Sequence, residues 1–276
     1  MRACSRFDPA DYRPLTIGTT RVGWLKPDLA RRLVDFPDAF ERAGDGVAFA
    51  ARLDSAENRT AALAETCERL AEAGDLKPAR GEVYPVARTW GAPLALVDRA
   101  WVPALGLRAW GLHVNGIVTG PDGLRLWIGR RARDRAMAPG KLDNLVAGGQ
   151  PHGLSFTENL VKEAAEEADL PEALALSARP VGAVTYVGER PDGLRDDVLF
   201  CYDLDLPPDF VPRNTDGEVE EFELRPAANV LAQVRETDDF KFNVSLVLID
   251  FAIRHGLIGP DAPDYEALCR GLRGGA

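Results

Sequence analysis

The sequence predicts a layered protein that combines helices and strands, of the α/β (α+β) class. The chain has 276 residues, of which 46% are hydrophobic, and this is enough for a sizeable buried core. Its second half alternates short β-rich runs with helical patterns, which is typical of sheets covered by helices. The sequence has no repeat of fixed period and no low-complexity tract, so we exclude solenoids and linker proteins.

The first part of the chain, up to about Arg80, predicts mostly helix. Residues 29–33 and 60–73 place Ala and Leu at helical spacing, and Gly74 follows the second run. Residues 83–97 contain two short β-rich pieces separated by a Gly-Ala-Pro turn. We therefore expect residues 1–108 to form a smaller N-terminal α+β domain of uncertain role.

The residue pattern changes near Arg108, where a second domain, residues 109–276, is expected to begin. Residues 110–119 and 124–129 are apolar runs separated by Pro-Asp-Gly, which predicts a β-hairpin. Further strands are predicted at residues 182–188, 198–204 and 219–224. Helices are predicted at 155–169, 227–235 and 242–255, so the domain ends in a helical tail.

Charge and cysteine spacing restrict the function classes. The net charge is −10, and residues 151–276 carry 11 Lys or Arg against 25 Asp or Glu, which argues against a nucleic-acid partner. The four cysteines, Cys4, Cys67, Cys201 and Cys269, have neither disulfide-framework nor zinc-site spacing. The sequence shows neither a secretory signal nor an apolar run long enough for a membrane span. We therefore expect a cytoplasmic protein without a membrane partner.

A Gly-rich turn and an acidic helix at residues 147–170 contain the candidate metal-binding residues. Ser155 and Glu158 form the pattern of a capping box, which predicts that a helix begins at Ser155. On that helix Glu163, Glu166 and Glu167 lie one turn apart and share a face. Two such charges repel by about 1 kcal/mol at ~4 Å in water. A divalent cation removes this repulsion, and oxygen ligands favour Mg²⁺ or Mn²⁺. The spacing alone leaves a solvated acidic helix face as the alternative.

This segment resembles the Nudix box, G-x5-E-x7-R-E-U-x-E-E-x-G-U with U aliphatic, of the Nudix pyrophosphohydrolases. Gly148 falls on the first glycine, and Glu163, Glu166 and Glu167 fall on the three acids of the helix. The resemblance implies an α/β/α sandwich with a mixed sheet and a Mg²⁺ (or Mn²⁺) cofactor. It further implies that the three glutamates hold the metal, with the carbonyl of Gly148 or Gly149 completing the ligand set.

Three positions depart from the box. Leu154 stands where the family has its first Glu, Lys162 replaces the Arg, and Asp169 replaces the late Gly. The salt bridge that braces loop and helix in the family therefore cannot form, and Lys lacks the guanidinium fork. A binding module that keeps the fold without turnover remains an alternative.

The general base is left open by the sequence. The resemblance allows Glu167, or an acid outside the box such as Glu218 or Glu220, where alternating residues predict a strand with one polar face. We include Glu218 with the three helix glutamates among the catalytic candidates.

The flanking segments resemble the Nudix part of fungal thiamine pyrophosphokinase fusions. The segments that carry this resemblance are RGEVYPVA, LVDRAW, WGLHVNGIV and FKFNVSLVLIDFAIRHGLI. It implies a small-molecule diphosphate partner, thiamine diphosphate or its oxidised analogues, cleaved to the monophosphate. An ADP-ribose or NADH pyrophosphatase is the alternative, and the sequence does not indicate an oligomeric state.

Five polar residues are candidates for substrate binding. Arg130, Lys141 and Asn144 lie close in sequence to the metal loop, where positive charge and amide groups would favour a diphosphate. Lys241 and Asn243 match a Lys/Asn pattern of the same Nudix branch.

Overall fold

The computed structural model describes residues 6–274, and its N-terminal part is built on a small sheet. The elements are a 3₁₀ turn at Pro9–Asp11, β1 (Arg13–Ile17), β2 (Thr20–Leu25), α1 (Pro27–Leu33), β3 (Phe40–Ala43), β4 (Gly46–Phe49) and α2 (Ala56–Glu72). The sheet order is β2-β1-β4-β3, with β1 and β4 parallel. The prediction of mostly helix up to Arg80 is therefore wrong for residues 13–25 and 40–49, whereas the helical runs at 29–33 and 60–73 are confirmed by α1 and α2. These strands have only four to six residues, too few for an alternating pattern to stand out.

Helix α2 packs on a second, two-stranded sheet. The strands β5 (Val83–Val86) and β6 (Ala95–Asp98) pair antiparallel, as the β-rich pieces predict. Ser55 begins α2 by accepting a hydrogen bond from the Asn58 amide (3.1 Å), and Leu63, Cys67 and Leu70 are its buried face. These residues belong to one hydrophobic core that extends from Leu15 to Ala109.

The second part contains a seven-stranded mixed sheet. Its strands are β7 (Arg108–Gly120), β8 (Gly123–Arg131), β9 (Leu142–Asp143), β10 (Val146–Gly149), β11 (Arg179–Arg190), β12 (Gly193–Asp205) and β13 (Val219–Pro226). The order is β11-β12-β7-β8-β13, with β10 paired to β7 and β9 to β8. Strands β12 and β7 are parallel, whereas the other pairs are antiparallel. The predicted hairpin at residues 110–129 and the mixed sheet are confirmed.

Helices cover both faces of this sheet. They are α3 (Phe156–Ala168), α4 (Glu172–Ala175), α5 (Ala227–Glu236), α6 (Val244–Arg254) and α7 (Tyr265–Gly271). Helix α3 packs on the face that carries Leu112 and Val114. Helices α5 and α6 pack on the opposite face, against Ile117 and Ile128. Alternate residues of β7 thus face different helix layers, which confirms the α/β/α sandwich.

The two parts of the chain are joined by polar contacts as well as by sequence. Arg108 donates from Nε and Nη2 to the buried Asp196 carboxylate at 3.0–3.2 Å, which fixes the start of β7 to β12. The Leu194 amide donates to the Pro103 carbonyl (2.9 Å), and the His152 amide donates to the Val83 carbonyl (2.8 Å). The last contact brings β5 beside the loop that precedes α3.

The cysteines within residues 6–274 are free thiols, and no helix in that range is both long and apolar enough to cross a bilayer. Cys67 and Cys201 are buried free thiols, Cys269 is a partly exposed one, and Cys4 lies outside the described residues.

Candidate active site

The loop before α3 is fixed to the helix by side-chain amides. The capping box is present: the Ser155 hydroxyl accepts from the Glu158 amide (3.2 Å), and the Glu158 carboxylate accepts from the Ser155 amide (2.8 Å). Asn159 donates to the Gly149 carbonyl (2.9 Å) and to Gln150 Oε1 (3.1 Å). Gln150 in turn donates to the Leu154 carbonyl (2.8 Å). Because both amide side chains are fully buried, this network holds the loop where Leu154 and Lys162 provide no salt bridge.

Glycine at positions 148 and 149 lets two side chains approach β10. A Cβ on Gly148 would lie 2.5 Å from the carboxyl carbon of Glu163, and one on Gly149 would lie 1.8 Å from the Tyr84 hydroxyl. Any larger residue would push these side chains away. The Gly149 carbonyl already accepts from Asn159, so Gly148 is the better placed of the two for a ligand role.

The three glutamates of α3 differ in burial. Glu167 is 6% exposed, and its Oε2 accepts from the Ala147 amide (2.8 Å). Burial raises the pKa of Glu163. Burial also raises the pKa of Glu167 well above its usual range, and the negative charges of Asp143, Glu163 and Glu218 raise it further. The ionised site therefore has an excess of negative charge.

The donor atoms of this site fit a hard divalent cation. Within residues 6–274 no three His, Cys, Asp or Glu side chains are already arranged as a ligand set. Instead the Lys162 ammonium lies 3.3 Å from Glu163 Oε1 and 2.6 Å from Glu166 Oε2. A cation is thus favoured between these carboxylates, and carboxylate and carbonyl oxygens are the ligands that Mg²⁺ and Mn²⁺ prefer.

The acidic helix faces a cavity of about 640 Å³ that collects most of the predicted residues. The predicted residues that line it are Gly148, Gly149, Glu163, Glu166, Glu167, Glu218, Lys241 and Asn243. Glu218 pairs with Arg135 (2.6 Å), and Lys241 Nζ pairs with the buried Asp143 (3.1 Å). The cavity therefore combines acids on one helix with cations from distant strands and loops.

Three predicted substrate-binding residues do not line the cavity. Arg130 pairs with Glu221 (2.6 Å), and Lys141 donates to the Asp238 carbonyl (2.5 Å). Asn144 is 3% exposed and bonds to His113 and Asn115. Arg130 lies in β8, whereas Lys141 and Asn144 lie directly before and after β9, and all three side chains bond to the partners just named. Their role in substrate binding therefore stays a prediction from sequence that the cavity lining does not support.

The cavity also contains residues that the sequence reasoning missed. Tyr84 and Arg99 reach it from the N-terminal part, and Asp197 with Tyr186 reaches it from β12 and β11. Burial raises the pKa of Asp197, while the Tyr186 hydroxyl donates a hydrogen bond to it. No spacing rule connects these residues with the box. Strand pairing brings in Asp197 and Tyr186, and the packing of the two parts of the chain brings in Tyr84 and Arg99.

His113 lines the cavity as a buried, neutral group. Its Nδ1 lies 2.8 Å from Asn144 Oδ1, and burial lowers its pKa to about 4, with the charge of Lys241 adding to the effect. Its hydrogen bond to Asn144 orients the ring, and burial with the neighbouring Lys241 and Arg131 keeps it uncharged.

Comparison with known proteins gives one match for the N-terminal part and several for the chain. A family model described as a domain of unknown function (DUF4743) matches residues 1–109. Nudix hydrolase 24, chloroplastic, of Arabidopsis thaliana is 45% identical over 268 residues, which cover 96% of this chain and 73% of the relative. Nudix hydrolase 20, chloroplastic, of the same plant is 41% identical over 273 residues, covering 95% and 73%. Among solved structures, DR0079 from Deinococcus radiodurans aligns with 60% of this chain and 97% of its own, at 21% identity and a TM-score of 0.47.

The names of the plant relatives contradict the expected cytoplasmic location. Both relatives are named chloroplastic, so the prediction is wrong by this comparison. The expectation rested on the absence of a secretory signal and of an apolar span. Neither feature bears on plastid import, which uses a different kind of N-terminal segment.

Proposed function

The chain belongs to the Nudix hydrolase family and is a hydrolase acting on phosphorus anhydrides, and from this premise we propose that it cleaves thiamine diphosphate or its oxidised analogues to the monophosphate, with Mg²⁺ or Mn²⁺. Three carboxylates of one helix facing one cavity are the observation that carries the metal-dependent part of the proposal. The relationship to the Nudix part of thiamine pyrophosphokinase fusions, drawn from the flanking segments, motivates the substrate.

The α3 glutamates hold the metal in this proposal, with the Gly148 carbonyl as a further ligand. When bound, the metal polarises phosphate oxygens and supplies an activated water. Glu167 enters the ligand set already fixed by the Ala147 amide, which lowers the cost of ordering it. Glu218, held by Arg135 at the cavity wall, is the candidate that takes a proton from the attacking water.

The organic end of the substrate is assigned to the part of the cavity lined by Asp197 and Asn243. Asn243 is 6% exposed, and its Oδ1 is buried without a hydrogen-bond partner among the described residues. Asp197 bonds to a hydroxyl, and within residues 6–274 it has no ion-pair partner. An unpaired carboxylate and an unpaired amide oxygen favour a ligand that carries positive charge and N–H donors. Thiamine has both, a cationic thiazolium ring and an aminopyrimidine, which supports it over ADP-ribose and NADH.

The amide network of Gln150 and Asn159 supports a catalytically active protein over a binding module. A binding module that has lost its chemistry has no need for three mutually repelling carboxylates held by such a brace. The departures at Leu154 and Lys162 therefore do not favour an inactive protein.

Turnover measured on a panel of separate substrates tests the proposal directly. Phosphate release with Mg²⁺ is measured directly on thiamine diphosphate, oxythiamine diphosphate and a nucleoside triphosphate. For ADP-ribose and NADH, whose cleavage gives phosphomonoesters, a phosphatase is added to release the phosphate. We expect kcat/KM to be highest for the two thiamine compounds. In Asp197→Asn that preference should fall about tenfold or more, the equivalent of ~1.4 kcal/mol. Preference for ADP-ribose or NADH would refute the substrate and keep the hydrolase, whereas no turnover on any compound despite Mg²⁺ binding would favour the binding module.

A further inference from the structure

One wall of the cavity is supplied by the N-terminal part of the chain. Lys77, Arg80, Glu82, Tyr84 and Arg99 line the cavity from the loop after α2 and from the β5–β6 pair. The segment lies within the region matched by a domain of unknown function, residues 1–109. We call residues 77–99 the N-terminal wall.

The N-terminal wall and the rest of the cavity carry opposite charge. Among the described residues that line the cavity, the wall contributes three cations and one carboxylate. The rest of the lining contributes five cations and eight carboxylates. A diphosphate is itself anionic and would be repelled by the acidic side. The wall is thus the part of the cavity whose own charge attracts a phosphate group.

Arg99 is held in a defined position against the glycine pair. Its Nη1 lies 2.7 Å from Glu82 Oε2, and its guanidinium carbon lies 5.5 Å from the centre of the Tyr84 ring. Its Nη2 lies 3.3 Å from the point that a Cβ on Gly149 would occupy. Arg99 therefore faces the strand next to the proposed metal ligands, and its position is set by contacts on two sides.

The loop that carries Lys77 and Arg80 is also fixed. The Asp98 carboxylate accepts from the amides of Arg80 (3.0 Å) and Gly81 (2.7 Å), and Trp101 Nε1 donates to the Lys77 carbonyl (2.8 Å). Within the part of the chain that the structure describes, neither the Lys77 nor the Arg80 side chain has an ion-pair partner. The backbone is thus ordered while both positive charges remain available to a ligand.

We propose that the N-terminal wall is an anion-binding surface, in which Arg99 contacts a phosphate group of the substrate and Lys77 and Arg80 attract the incoming diphosphate. The inference rests on the proposed function only in taking a diphosphate as the ligand. It gives the N-terminal part a role in the active site: this part supplies the positive side of a cavity whose other side carries the metal-binding acids. Arg99 then offers a planar pair of donors to two phosphate oxygens.

Binding of methylenediphosphonate, a pyrophosphate analogue with a P–C–P bridge that is not hydrolysed, tests the wall without turnover. Calorimetry on the full chain with Mg²⁺ compares wild type, Arg99→Gln, Arg99→Lys and the double variant Lys77→Gln/Arg80→Gln. We expect Arg99→Gln to weaken binding about tenfold or more. Arg99→Lys should weaken it less, because lysine keeps the positive charge but lacks the paired donors of the guanidinium group. The double variant should reduce the dependence of binding on salt concentration.

Arg42→Gln is the matched control, since Arg42 is exposed on β3 and does not line the cavity. Its affinity should equal that of wild type, and thermal melting shows whether each variant is folded. Unchanged affinity in folded Arg99→Gln would overturn the inference. Loss of affinity in that variant, when no thiamine compound is hydrolysed by wild type, would uphold the wall and refute the proposed function instead. On any substrate that is turned over, Arg99→Gln should raise KM more than it lowers kcat.

Discussion

The hydroxyl oxygen of Tyr84 lies against the backbone of Gly149, so closely that a Cβ there would be 1.8 Å away. Tyr84 is 4% exposed, and its hydroxyl has no hydrogen-bond partner among the described residues. Burial raises the pKa of this phenol, so it stays neutral. A residue of the N-terminal part therefore contacts the glycine pair directly, and the position of β10 depends on both parts of the chain.

Gly149→Ala should destabilise the protein through this contact. The added methyl cannot coexist with the present Tyr84 position, and overpacking of this kind costs about 1–3 kcal/mol. Urea unfolding measures the loss. Gly153→Ala is a poor control because its φ is positive, whereas Gly259→Ala meets no atom within 4 Å and suits the purpose.

Tyr84→Phe should recover part of the stability lost in Gly149→Ala. Removing the hydroxyl oxygen opens the space that the methyl needs, so the two substitutions should couple by about 0.5–3 kcal/mol in a double-mutant cycle. Additive effects would show that the contact is not what limits residue 149.

Glu167→Gln should lower Mg²⁺-dependent turnover by about a hundredfold or more, because a neutral amide is a weak ligand for a hard cation. Without metal the variant should be at least as stable as wild type, since it removes a buried charge among Asp143, Glu163 and Glu218 and still accepts from the Ala147 amide. Phosphate release and thermal melting in a chelator measure the two effects. Glu172→Gln, at an exposed position on α4, is the control, and wild-type turnover in Glu167→Gln would refute the metal site.

His113 should contribute a loss of stability in mild acid. This contribution is opposite in sign to that of the buried acids Glu163, Glu167 and Asp197, whose pKa values are raised. The pKa of His113 is about 4 in the folded protein, against about 6.5 in an unfolded chain. Between these values the unfolded chain binds a proton that the folded protein does not, so the His113 contribution to the free energy of unfolding decreases as the pH falls. The full contribution is about 3 kcal/mol, present above pH ~6.5 and lost as the pH falls toward 4.

Urea titrations from pH 7.5 to 4.5 test this dependence. His113→Gln should show a flatter decline than wild type, whatever its absolute stability. His152→Gln, at an exposed loop position, should retain the wild-type decline. Equal declines in all three proteins would show that His113 is not the group responsible.

Arg130→Ala and Lys141→Ala should change kcat/KM by less than about threefold, because both side chains are bound outside the cavity and surface substitutions typically act within ±0.5 kcal/mol. Lys241→Gln should have a larger effect, since Lys241 lines the cavity and its loss leaves Asp143 with Arg131 alone. Steady-state kinetics on one substrate compare the three variants. A larger effect of Arg130→Ala or Lys141→Ala than of Lys241→Gln would support the substrate-binding role that the sequence predicts for Arg130 and Lys141.

The sequence by itself determined the helix cap, the acidic helix face and the hairpin, which depend only on residues close together in the chain. The capping box at Ser155, the shared face of Glu163, Glu166 and Glu167, and the hairpin at residues 110–129 are visible in the chain because helix and turn rules act over three or four positions. The similarity of the acidic segment to the Nudix box identified the superfamily on the same local pattern.

Tertiary structure alone decided which distant residues share the cavity. Tyr84 and Arg99 precede α3 by more than fifty residues, and Asp197 follows it, so only strand pairing and the packing of the two parts bring them together. The same packing directs Arg130 and Lys141 away, although they are near the metal loop in sequence. The short N-terminal strands were likewise hidden, because a strand of four residues is specified by its partners in the sheet more than by its own pattern.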